Sequence, residues 1–221
     1  MSTVLHLHIP RTGGTGVREC IFSAFPGERT HLYLAPFDFE RSAQKRGLFA
    51  AVSGHFFWGL HTSFPNGVTY FIVLRDPLER VGSLYDFIRT NPKHRLQRDY
   101  AAKSLTQIMM EPGAENTQMS NGIVRQIAGP KRINLPIRGE DLEQAWANLC
   151  RPDVVVTFTD RLNAGLAELS RRTGRKMPSQ DEKPNASPRR PLDLESVELI
   201  RRANLFDLEI YGRARERFAD S

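Results

Sequence analysis

The chain has 221 residues, of which 40% are hydrophobic and 25% charged, so it is long and apolar enough for one folded domain over residues 1–221 and is not a disordered chain. Its formal net charge of +6 favours an anionic ligand or polymer, although a generally basic surface would give the same charge. No apolar run approaches the ~20 residues of a membrane span, and the N-terminus lacks the pattern of a signal peptide. The only cysteines, Cys20 and Cys150, are far apart and not in a metal-spaced pair, which predicts reduced thiols and a cytoplasmic protein.

The first informative stretch is a strand, a glycine-bearing turn and a helix. Val4 to Ile9 alternates apolar and polar residues like a half-buried strand, residues 10–16 read Pro-Arg-Thr-Gly-Gly-Thr-Gly, and apolar residues then recur at helical spacing. Such a turn directs backbone N–H groups and the positive end of a helix toward one point, which suits a phosphate or sulfate. Arg11 would add a cation, and the hydroxyls of Thr12 and Thr15 would add donors. An ordinary strand–turn–helix corner would explain the same glycines.

The next segment carries a histidine. Residues 25–48 start irregularly, with a short charged helix predicted over Phe39 to Leu48, and Phe49 to Val52 reads as a short strand that ends at Ser53-Gly54-His55. His55 would then lie just past the end of a strand, where open parallel sheets bind their ligands. A packed structural histidine is the alternative interpretation.

The stretch from Thr69 to Arg89 predicts a buried strand followed by a capped helix. Tyr70 to Leu74 is continuously apolar, as in a parallel strand covered on both faces, and Asp76, Pro77 and Glu79 fit the start of a helix. Arg75 would project from the carboxyl edge of the sheet. Ser83 lies two helical turns along, about 10 Å by helix rise, so both side chains could share one phosphate. Alternatively, Arg75 pairs with Asp76 or Glu79, and Ser83 is an ordinary surface serine.

The rest of the chain completes an α/β pattern. We predict helices over residues 121–129 and 142–149, a strand over residues 153–158, a helix capped by Thr159 and Asp160, and one long final helix from Leu194. This order of strands and helices predicts a parallel sheet with right-handed crossovers.

The glycine turn departs from the phosphate loop of nucleotide-hydrolysing enzymes. That loop, G-x-x-x-x-G-K-[ST], contains a lysine for the phosphates and a hydroxyl for magnesium, and residues 10–16 contain no lysine. Asp76 and Asp160 each follow an apolar strand, as a magnesium-binding aspartate would, but both are better explained as helix caps. We therefore expect no metal. A sulfuryl group in transfer carries less charge than a phosphoryl group, so fixed arginines and N–H dipoles could stabilise it without a divalent ion.

Three segments together resemble a known family: HIPRTGGTG (8–16), SGHFFWGLH (53–61) and FIVLRDPLERVGSLYDF (71–87). They are similar to segments of sulfotransferases that use 3′-phosphoadenosine 5′-phosphosulfate (PAPS). The branch concerned contains the heparan-sulfate 2-O- and 6-O-sulfotransferases and compact bacterial relatives, and the similarity runs in order from about residue 5 to residue 218. The resemblance implies a single-domain, parallel-sheet, P-loop-like sulfotransferase fold. It also implies in-line transfer of a sulfuryl group from PAPS to an acceptor hydroxyl.

The resemblance also implies roles for individual residues. Residues 10–16 would hold the 5′-phosphosulfate, Arg75 and Ser83 would bind the 3′-phosphate, and His55 matches the general base of the glycan-modifying members. Many relatives carry lysine where this chain has Arg11, and a guanidinium keeps the charge but is a poorer proton donor. The implied catalytic residues are His55 and Arg11, and the implied cofactor-binding residues are Arg11, Thr12, Gly13, Gly14, Thr15, Gly16, Arg75, Ser83, Asn185 and Ser187.

Two other functions remain compatible with the residues themselves. One is a metal-dependent, kinase-like NTPase, and the other is a non-catalytic module that binds an anion or polyanion. Basic side chains at 171–176, 189–190 and 201–202 lack interleaved stacking aromatics and a DNA-reading motif, so we expect no nucleic-acid partner. The acceptor is open among a glycan, a lipid head group and a small molecule, and so is the oligomeric state.

Overall fold

A computed structural model describes residues 2–33, 49–180 and 191–218. Within these residues a five-stranded sheet forms the centre of the molecule, and every neighbouring pair of strands is parallel. This confirms the predicted α/β class with a parallel sheet. The strands are β1 (Thr3–Leu7), β2 (Thr30–Tyr33), β3 (Ala51–Gly54), β4 (Val68–Leu74) and β5 (Val154–Phe158), in the order β2-β3-β1-β4-β5.

Helices connect the strands and cover both faces of the sheet. Three short 3₁₀ helices lie at Leu60–Ser63, Ala114–Asn116 and Pro130–Arg132. The α-helices of the described residues are α1 (Gly14–Ser23), α2 (Pro77–Thr90), α3 (Gln97–Ala102), α4 (Leu105–Met109), α5 (Gly122–Ala128), α6 (Gly139–Leu149), α7 (Leu162–Thr173), α8 (Leu194–Ala203) and α9 (Leu205–Phe218).

Successive side chains of a strand point to opposite faces of the sheet, so the apolar core is divided into one cluster on each face. Leu5 and Leu7 of β1 face the side covered by α5, α6 and α9, whereas Val4 faces the side covered by α1 and α7. A third apolar cluster joins α2, α3, α4 and α8. His6 is on the same side of β1 as Val4, since residues two apart in a strand share a face.

The direction of winding reverses between β1 and β4, at the carboxyl end of the sheet. After β1 the chain moves toward the β2 edge, and after β4 it moves toward the β5 edge. In open α/β sheets, ligands bind beside the strand ends at which the direction of winding reverses. The loop at residues 10–16 follows β1, and Arg75 follows β4, so the two segments lie at this point.

Several local predictions hold. Asp76 caps α2 by accepting a hydrogen bond from the Glu79 backbone N–H at 3.0 Å, and Pro77 is the first helical residue. The strand before His55 and the helix over residues 121–129 are also present. Neither Cys20 nor Cys150 is in a disulfide.

Three expectations are wrong. The residues after 25 include β2, a short strand whose mixed polar sequence gave no clear alternation. Thr159 and Asp160 do not cap α7, because Arg161 occupies that position and the Asp160 carboxylate accepts a hydrogen bond from Arg215 at 2.8 Å. The final helix is interrupted at Asn204, which separates α8 from α9. The helix predicted over Phe39 to Leu48 lies outside the described residues.

Candidate functional site

The loop between β1 and α1 has the backbone geometry of an anion-binding turn. Gly13 precedes α1 with a φ of 82°, and no side chain of the described residues caps this helix end. The first turn of α1 also contains no acidic residue. Its unpaired N–H groups and the helix dipole therefore produce a positive potential at the loop.

Arg11 has a left-handed backbone conformation, which is uncommon for a residue with a Cβ. Its φ is 73°, and this conformation turns the side chain toward α2. There the guanidinium lies 4.8 Å from the centroid of the Phe87 ring, and its Nε donates a hydrogen bond to the Ser83 hydroxyl at 3.0 Å. Backbone strain of this kind is retained where surrounding contacts fix it, and such positions cluster at functional sites.

Arg75 joins the end of β4 to the same loop. Its Nη1 donates to the Arg11 carbonyl oxygen at 2.8 Å, and its Nε lies 3.2 Å from Oε2 of Glu79. The ion pair with Glu79 is one of the alternatives that the sequence left open, and it coexists with the contact to the loop. Arg11, Arg75 and Ser83, which are separated by up to 72 positions in sequence, thus form one connected group.

The structure changes the interpretation of one loop residue. The Thr12 side chain is completely buried, and its hydroxyl donates to the Ile9 carbonyl at 2.9 Å, so it stabilises the turn and does not face a ligand. Thr15, in contrast, is exposed on α1. Asn185 and Ser187 lie outside the described residues.

His55 follows β3 and is oriented by the neighbouring strand. Its Nδ1 lies 2.7 Å from the backbone carbonyl oxygen of His8. A carbonyl only accepts, so Nδ1 carries the proton, and Nε2 of the neutral ring has a free lone pair. The His55 residue is exposed, and it directly follows the carboxyl end of β3.

Two further histidines adjoin His55, and the sequence reasoning missed both. The His8 and His55 ring centroids are 4.3 Å apart, and the His6 ring stacks on His8 at 5.4 Å. The His6 Nδ1 lies 2.8 Å from the Ser53 hydroxyl on β3. The signal was present in the sequence, because the alternation Leu-His-Leu-His places both imidazoles on one face of β1.

All three histidines are neutral at pH 7. Burial lowers the pKa of His6 to about 3 and that of His8 to about 2, and the positive charge of Arg18 acts in the same direction. Burial also lowers the pKa of His55, while its hydrogen bond to the His8 carbonyl opposes the shift.

Gly14 allows the His8 ring to lie against α1. A Cβ at position 14 would overlap the imidazole of His8, so the loop and the histidines can be this close only with glycine there. The glycine requirement links the turn before α1 to the histidine cluster.

The described residues offer neither a metal-binding cluster nor a membrane-spanning helix. They contain no group of three or more His, Cys, Asp or Glu side chains placed to hold a metal ion. No helix among them combines the length and apolarity required to cross a bilayer.

No protein-family model matches the chain, and no curated protein matches it. Among solved structures, the mouse sulfotransferase SULT7A1 complexed with PAP is similar over 94% of this chain, with a TM-score of 0.48 and 12% sequence identity. The chain covers 66% of that protein, slightly less than two thirds of its length. A likeness this distant does not transfer a function.

Proposed function

We propose that this protein is a sulfotransferase that transfers the sulfuryl group of PAPS to the hydroxyl of an acceptor. One observation carries the proposal: the loop after β1 and the polar residues after β4 meet through Arg11, Ser83 and Arg75. At the start of α1 the His8 ring packs on Gly14, and it also contacts the ring of His55. This arrangement combines two anion-binding elements with a base at one edge of the sheet. The sequence similarity of the three motifs to PAPS-dependent enzymes supports the same assignment.

The residues present fit a nucleotide with two anionic groups, a 5′-phosphosulfate and a 3′-phosphate. The uncapped N-terminus of α1 and the N–H groups of Gly13, Gly14, Thr15 and Gly16 suit a 5′-phosphosulfate. On the α2 side, the guanidinium of Arg75 and the Ser83 hydroxyl suit a second phosphate, with Arg11 between the two. Asn185 and Ser187 belong to this proposal by sequence resemblance alone.

His55 acts as the general base in this proposal. PAPS supplies an activated sulfuryl group when bound. The Nε2 of His55 accepts the proton of the acceptor hydroxyl, while Nδ1–H remains bonded to the His8 carbonyl. The charge that forms on the imidazole is stabilised by that carbonyl. Arg11 and the loop N–H groups stabilise the negative charge that develops on the phosphate side.

The acceptor is proposed as a class only, an alcohol of a glycan, a lipid head group or a small molecule. The resemblance to the heparan-sulfate branch favours a glycan. An anionic acceptor would also be attracted by the net positive charge of the chain.

The first experiment tests nucleotide binding, because it needs no acceptor. Calorimetry with adenosine 3′,5′-bisphosphate should give saturable binding, and Arg75→Ala should weaken it about 10–100-fold, since a charge-assisted hydrogen bond contributes about 1.5–3 kcal/mol. Arg202→Ala, which removes an exposed arginine of α8, is the matched control and should bind like the wild type. Equal affinities for wild type and Arg75→Ala would remove Arg75 from the site, and no binding at all would refute the proposed function.

The second experiment tests transfer. Acceptor alcohols are incubated with radiolabelled PAPS, and His55→Ala should lower turnover by about 10²–10⁴-fold while it keeps the affinity for adenosine 3′,5′-bisphosphate. Wild-type turnover in His55→Ala would show that another group accepts the proton.

A further inference from the structure

Gln126 is a buried amide that contacts both segments of the histidine site. Its residue exposure is 2%, and it lies on α5, on the opposite side of the sheet from α1. Its Nε2 donates to the His8 carbonyl oxygen at 3.0 Å and to the Phe56 carbonyl oxygen at 2.9 Å. Both neighbours are acceptors, so the amide nitrogen must face them.

The carbonyl of His8 is shared by two donors. The same oxygen accepts from His55 Nδ1 at 2.7 Å and from Gln126 Nε2 at 3.0 Å, which uses both of its lone pairs. The orientation of the His55 ring therefore depends on an oxygen that Gln126 also holds.

The chain next to His55 is held by the same residue. Besides the bond to Phe56, the backbone carbonyl of Gln126 accepts a hydrogen bond from Trp58 N–H at 3.0 Å. Gln126 thus connects the end of β1 to residues 56–58, immediately after His55.

We propose that Gln126 is a positioning residue for His55, which fixes the ring by holding both its hydrogen-bond acceptor and its backbone. The role of His55 as a base rests on the proposed function, whereas the positioning of its ring by Gln126 does not. Loss of Gln126 would let residues 55–58 shift relative to His8. A displacement of about 1 Å at a catalytic group can cost on the order of 10²-fold in rate.

The test uses Gln126→Met, which keeps the length of the side chain and removes its donors. The control is Asn148→Leu, because Asn148 is also a buried amide that donates to a backbone carbonyl, that of Ile127 at 2.8 Å. Its other side-chain partner is Gln144, so its hydrogen bonds do not involve His55 or His8. Both variants lose one buried amide, so a general loss of stability would affect both. Gln126→Asn, which is too short to reach both carbonyls, serves if Gln126→Met does not fold.

The first measurement is the nitrogen-15 spectrum of the His55 ring, which reports its tautomer and needs no activity. We expect mainly the Nδ1–H tautomer in the wild type and in Asn148→Leu, and a mixture of tautomers in Gln126→Met. A His55 ring with wild-type signals in Gln126→Met overturns the proposal. If the tautomer changes while no acceptor is ever sulfated, the proposed function fails and the positioning role stands.

The second measurement is turnover with radiolabelled PAPS. Gln126→Met should lower kcat about 10–100-fold with unchanged affinity for adenosine 3′,5′-bisphosphate, and it should have no further effect in the His55→Ala background. An equal loss in both backgrounds, or the same loss in Asn148→Leu, would show that Gln126 does not act through His55.

Discussion

Asp207 is an unusual buried carboxylate, and its removal should destabilise the fold strongly. It lies on α9 with no accessible surface, and its oxygens accept hydrogen bonds from the N–H groups of Ile123 at 3.0 Å and Val124 at 2.9 Å. The Nη2 of Arg80, which is equally buried, lies 3.3 Å from the same carboxylate. Asp207 therefore caps α5 and neutralises a guanidinium in the core.

Asp207→Asn keeps the shape of the side chain but leaves Arg80 without its counter-charge. Removing one partner of a buried ion pair typically costs about 3–5 kcal/mol. For a chain of this size the melting temperature should fall by roughly 6–20 °C, at about 2–4 °C per kcal/mol. Burial raises the pKa of Asp207 while Arg80 and the two N–H groups oppose the shift, so the charged state depends on these contacts.

Urea titration and thermal melting measure this loss directly. The control is Glu209→Gln, which removes an exposed partner of Arg213 at 2.8 Å and should cost less than about 1 kcal/mol. A double variant, Arg80→Met with Asp207→Leu, should recover part of the loss, because no unpaired charge remains in the core. A cost below about 1 kcal/mol for Asp207→Asn would refute the account of this pair.

Two further predictions concern the histidine cluster. Folding lowers the pKa of His6 from 6.5 to about 3, so the folded state binds fewer protons and its stability falls as the pH decreases from 6.5 toward 3. Between pH 8 and pH 5 the free energy of unfolding, measured by urea titration, should fall by about 2 kcal/mol more in the wild type than in His6→Gln. Equal losses in the two proteins would contradict the lowered pKa of His6. Gly14→Ala should lower the free energy of unfolding by about 1–3 kcal/mol and displace the His8 ring. Unchanged His8 ring signals in the NMR spectrum of this variant would contradict the contact between His8 and Gly14.

Much of the fold and part of the site could be predicted from sequence, because the signals are local. The apolar run of β4, the Asp76-Pro77 start of α2 and the glycine turn before α1 each follow from neighbouring residues. His55 could be placed at the carboxyl edge of the sheet for the same reason, since a short apolar strand ends just before it.

Contacts between distant segments were not predictable in this way. The break at Asn204 depends on its side-chain amide, which donates to the carbonyls of Met119 and Ile200, so nothing in the helical periodicity indicated it. The contact of Arg11 with Ser83 likewise requires β1 and β4 to be adjacent and the backbone of Arg11 to be left-handed.

The sequence by itself determined the parallel α/β pattern, the glycine turn before α1 and the position of His55 just past a strand, because propensity, capping and alternation act over a few residues. Only the tertiary structure decided which groups meet: Arg75 with the Arg11 carbonyl, His8 with His55, and Gln126 with both sides of the histidine site. These contacts depend on strand order and register. Strand order and register are fixed because both faces of the sheet must be buried at the same time. No short stretch of sequence encodes that requirement.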